Sequence, residues 1–74
     1  MAYHKYTYNH IALYDDANDV WNVYHKLDKD IPKTVECYGT SNIIATGKTL
    51  VAVLDDAVIN HNIPVYDIEV IEDE

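Results

Sequence analysis

The sequence predicts an α+β domain with the element order βαββαβ, on three observations. Both ends of the chain have strand composition, two windows repeat apolar residues at helical spacing, and a Gly-Thr-Ser turn splits the middle. That order implies two helices on one face of a four-stranded, mainly antiparallel sheet, the ferredoxin-like arrangement, with the other face open.

Each element follows from local residues. Residues 3–14, YHKYTYNHIALY, are rich in Tyr, Thr and Ile and lack Gly and Pro, so they predict a first strand, with Tyr6, Tyr8, Ala12 and Tyr14 on one parity. DDAND then offers Asp15 or Asp16 as an N-cap, and Ala17, Val20, Trp21, Tyr24, Leu27 and Ile31 recur at three- and four-residue steps, predicting a helix that stops before Pro32. TVECY and NIIAT flank Gly39-Thr40-Ser41 and predict a hairpin. From Lys48 to Asn62 the apolar set Leu50, Val53, Leu54, Ala57, Val58 and His61 shares one helical face, with Thr46 or Thr49 as cap. Pro64 ends that helix, and alternation from Val65 to Ile71 predicts the last strand.

Residues 1–74 are expected to form a single domain with a small core, which calls for added support. Cys37 is the only cysteine and no zinc-ligand spacing is present, so a homodimer through a Tyr-bearing open sheet face is the expected support. The N-terminus has no apolar signal-peptide core and no apolar run is long enough for a bilayer, so the expectation is a soluble, cytoplasmic protein with no membrane contact.

Charge is the dominant bulk feature. Thirteen acids against five lysines and no arginine give a net charge of -8, and residues 38–74 carry seven acids and one lysine. A chain of this charge repels nucleic acid directly and attracts basic partners. Its 49% hydrophobic content separates it from acidic disordered segments.

No motif places catalytic or metal chemistry. Gly47-Lys48-Thr49 lacks the upstream glycine of a phosphate loop, since Asn42 stands at that position. The Asp16/Asn18 and Asp28/Asp30 pairs do not continue into a calcium loop. His4, His10, His25 and His61 have no paired spacing, Cys37 has the acidic neighbour Glu36, and Ser41 has no base beside it. The expectation is a non-enzyme without cofactor or metal.

The carboxylates remain. Asp15, Asp16 and Asp19 suit a helix start, whereas Asp55 and Asp56 fall inside a predicted helix, where Asp is a poor helix former. Asp67 and Glu69 share a side of the last strand, about 6.7 Å apart from the strand rise, and Glu72, Asp73 and Glu74 extend that line. These ten residues are the candidate partner-binding set.

In size, lack of arginine and in carboxylates such as Asp55, Asp56, Asp67, Glu69 and Glu72 to Glu74, the chain resembles the small acidic DNA-mimic proteins of phages. It is most similar to those that inhibit the bacterial histone-like protein HU. The resemblance implies a non-enzymatic inhibitor whose carboxylates occupy the basic DNA-binding surface of an HU-like host protein. The alternative is a protein–protein interaction module that uses a Tyr-rich sheet face or a β-edge, with the acidity serving solubility.

Overall fold

In the computed structural model, which describes residues 8–72, the DDAND run closes a hairpin. Strand β1 (His10–Asp15) pairs antiparallel with β2 (Val20–His25), from His10 opposite His25 to Asp15 opposite Val20. Asp15 does cap the turn between them: its Oδ1 accepts from the Ala17 and Asn18 amides at 3.1 and 3.3 Å. Asp19 then reverses the chain in the left-handed region, at φ 56°. The side-chain chemistry is that of a helix cap, but it leads into a strand.

The helix expected over 17–31 is therefore absent. VWNVYH is β-branched and aromatic, and both of its faces are buried, so the polar alternation that marks a strand is missing. Trp21 and Tyr24, which a helix would place together, point to opposite sides of the sheet. Leu27 and Ile31 lie in the following loop and fold back against Tyr24.

The expected hairpin over 34–46 is absent: only its second strand forms, and it pairs elsewhere. Val35–Tyr38 is a one-turn helix, α1, because Thr34 Oγ1 accepts from the Cys37 amide at 3.3 Å. Gly39, at φ 75°, turns the chain toward β3 (Ile43–Gly47), which pairs antiparallel with β2 across a bulge at Val23/Tyr24. The expected second helix is present as α2 (Leu50–His61), capped by Thr49 Oγ1 on the Ala52 amide at 3.0 Å and closed by Asn62 in the left-handed conformation. The last strand is shorter than expected. Val65–Asp67 forms a 3₁₀ turn, and only β4 (Ile68–Val70) pairs, parallel to β1.

The result is an α+β fold whose mixed sheet has the order β3-β2-β1-β4 and whose chain order is ββαβαβ. The first strand begins at His10; residues 3–7 of the expected strand lie outside the described residues.

The helices do not share a face. Ala12, Val23 and Ala45 pack under α2 with its Val53 and Ala57, while Ile11, Leu13 and Tyr24 pack against Tyr38 of α1 and the loop around it. Both sheet faces are covered, so the open Tyr-bearing face expected for a homodimer is not found among the described residues. Tyr24 and Tyr38 are core residues at 0% and 2% exposure. Gly47 ends β3 against α2: a Cβ there would lie 2.6 Å from the Val53 nitrogen, so the close approach requires glycine.

Candidate partner-binding surface

The structure divides the candidate carboxylates into two kinds. Asp67 and Glu69 are consumed by the fold. Asp67, buried in the 3₁₀ turn, accepts from the Asn9 amide and Nδ2 at 3.1 and 3.3 Å through Oδ1, and its Oδ2 lies 2.9 Å from His10 Nδ1. It ties the start of β4 to the start of β1. Glu69, half-buried on β4, lies 2.6 Å from Lys26 Nζ and accepts from Lys33 Nζ at 3.0 Å. The close Lys26 ammonium, then the hydrogen bond from Lys33, holds its carboxyl below the usual range, against the upward push of burial. The two side chains share no row, because a 3₁₀ turn separates Asp67 from the pleat of β4.

Apart from Asp15, the other carboxylates among the described residues are more exposed than Asp67. Asp16 and Asp19 stand on the hairpin turn, where the Tyr14 hydroxyl donates to Asp19; that bond, with the nearby carboxylates, raises the Tyr14 pKa. Asp15, buried by its capping bonds, also accepts from Asn18 Nδ2 at 2.8 Å. On α2, Asp55 is exposed, and Asp56 accepts from Asn60 and lies 3.9 Å from His61 Nε2. Glu72 is exposed after β4, and Asp73 and Glu74 lie outside the described residues.

Three of these meet at one place. An open groove of about 580 Å³ runs between the hairpin turn, the start of α1 and the segment after β4. Its apolar floor includes Leu13, Val35 and Ile71, and Asp15, Asp16 and Glu72 line it together with Glu36. Among the described residues, Lys33 is the one cation on this lining, and Glu69 already binds it. Asp16, Glu36 and Glu72 are in no ion pair or side-chain hydrogen bond among the described residues. Asp55 and Asp56 stand apart on α2, across the sheet.

Glu36 is absent from the sequence-derived set because TVECY reads as a strand. A weaker signal was present: Thr34 can cap a helix, and Glu36 then falls in its first turn, where an acid is favoured. An apolar floor with a carboxylate rim can hold Lys or Arg side chains, the stem on the floor and the charged head at the rim.

Among the described residues, no group of three or more His, Cys, Asp or Glu side chains is placed to hold a metal, and no helix is long and apolar enough to cross a membrane. The chain matches no protein-family model, no curated protein and no solved structure.

Proposed function

We propose that this protein is a non-enzymatic acidic inhibitor that occupies the basic DNA-binding surface of another protein, of the HU type, and keeps DNA from it. The observation that carries the reading is the groove rimmed by Asp15, Asp16, Glu36 and Glu72, whose one cation, Lys33, is paired with Glu69. Magnitudes support it. A DNA-binding protein commonly neutralises about 6–10 phosphates, and the net charge here is -8. The charge is sparser than on a duplex: over the 44 Å long axis a duplex carries about 26 phosphates at one per ~1.7 Å. A binding groove contacts only part of that set, and a folded protein offers its charges already in position.

Among the described residues both sheet faces are covered, so the alternative, an interaction module, would work through a β-edge, β3 or β4, and not through a Tyr-rich face.

The test is displacement of labelled duplex DNA from purified HU. The parent protein is expected to displace DNA, less well as salt rises past physiological strength. Asp16→Asn/Glu36→Gln/Glu72→Gln is expected to keep the parent's Tm and weaken displacement by about tenfold. Equal displacement by this variant, or none by the parent, would remove the proposal. Asp67 and Glu69 are unsuitable positions for this test, because their neutralisation alters the fold's own contacts.

A further inference from the structure

Helix α2 turns apolar side chains away from the molecule. Val51 and Ile59 are 69% and 73% exposed and Val58 is 39% exposed, although Val53 and Ala57 already fill the contact with the sheet. Helical spacing sets Val51, Asp55, Val58 and Ile59 side by side: Asp55 follows Val51 by four and precedes Val58 and Ile59 by three and four. Valine and isoleucine are weak helix formers, so local stability does not account for them at exposed positions. Asp55 at their centre is exposed and in no ion pair among the described residues.

We infer that this outer face of α2 docks a basic amphipathic helix of another protein, apolar side chains meeting Val51, Val58 and Ile59 and a Lys or Arg meeting Asp55. Charge complementarity selects that occupant. A second copy of the chain is opposed by the same feature. Asp55 lies at the midpoint of Leu50–His61, so antiparallel pairing of two α2 helices brings both Asp55 carboxylates together between bodies of net charge -8. The strip is also small: a helix of this length is about 18 Å long, well short of the roughly 800 Å² per partner of a standard interface. The expected complex is therefore weak and reversible. This site is across the sheet from the carboxylate groove and does not depend on the DNA-mimic reading.

The probe is a labelled amphipathic helical peptide of Leu and Lys, compared with a scrambled peptide of identical composition. The amphipathic peptide is expected to bind with micromolar Kd and to shift backbone amides along α2. Val51→Thr/Ile59→Thr, which keeps both positions β-branched and leaves the charge unchanged, is expected to weaken binding by about tenfold, and Asp55→Asn by about threefold. Equal affinity for the scrambled peptide, unchanged affinity of the threonine variant, or amide shifts confined to the groove would overturn the inference. So would a Tm of the threonine variant many degrees below the parent's, which would mean that the chain itself covers the strip. A dimer in sedimentation that the threonine substitutions dissociate would name the second copy as occupant instead.

Discussion

The two faces of the sheet are covered by different means. Under α2 the three central positions of the sheet are small, Ala12, Val23 and Ala45, with Trp21 and Ile68 beside them, and a regular three-turn helix lies close over them. On the other face the cover is a loop and a single helical turn, and the sheet supplies the bulk through Ile11, Leu13 and Tyr24. There Tyr24 and Tyr38 meet edge to face, with centroids 5.3 Å apart. Their hydroxyls also serve polar groups: Tyr38 accepts from the Leu27 amide at 3.2 Å, and Tyr24 accepts from Asn22 Nδ2 at 3.1 Å. A regular helix satisfies its own backbone and needs only a flat, small-residue seat. An irregular cover leaves amides unpaired, and the Tyr38 hydroxyl meets one of them, that of Leu27.

If that contrast holds, the two faces fail differently. The largest effect is expected on the bulky face, where Tyr24→Ala should cost about 3–5 kcal/mol and leave little folded protein. Urea unfolding that shows a loss below about 1 kcal/mol would mean the loop collapses onto the space. On the helix face the sensitive change is an addition. Gly47→Ala forces a methyl group against the α2 backbone and should cost about 1–3 kcal/mol, read as a lowered Tm with unchanged far-UV dichroism. Tyr38→Phe removes one hydrogen bond and keeps the ring, so about 1 kcal/mol is expected, with faster hydrogen exchange at the Leu27 amide and no change along α2.

The smallest effect is electrostatic and depends on pH. Glu69 has a lowered folded pKa, so its contribution to stability is fully present above the ordinary carboxylate value of about 4.3 and is lost as pH falls through the folded value. The parent's advantage over Glu69→Gln in urea midpoint should therefore be constant near neutrality and shrink in acid. A gap that stays constant into strong acid would show that the Lys26 and Lys33 pairs do not act through charge.

Elements with one exposed side were legible in the sequence. The period of Leu50, Val53, Leu54 and Ala57 and the Thr49 cap mark α2, and the tail does hold a strand. β2 was not legible, since burial on both faces erases alternation and leaves Trp21, Tyr24, Leu27 and Ile31 at helical spacing by coincidence. The net charge was readable, but its disposition was not. Asp67 and Glu69 look like neighbours on one strand; whether they face solvent depends on Asn9, His10, Lys26 and Lys33, which only the fold brings to them. Glu36 reached the groove through a turn of helix hidden inside a strand-like pentapeptide.

The parallel pairing of β1 with β4 has a kinetic consequence. His10 lies opposite Ile68, and the Asn9–Asp67 bonds beside that pair span 58 positions in sequence. The β1–β2 hairpin closes through local contacts and can form early, but one edge of β1 then stays unpaired until a three-residue strand arrives from far along the chain. Until it docks, Ile11 and Ala12 border an open strand edge, the geometry most prone to pairing with another chain. Refolding should accordingly show its aggregation-sensitive interval between hairpin closure and the capture of Asp67 by Asn9 and His10; dilution should lower the aggregation in that interval without changing its length, because the capture is intramolecular.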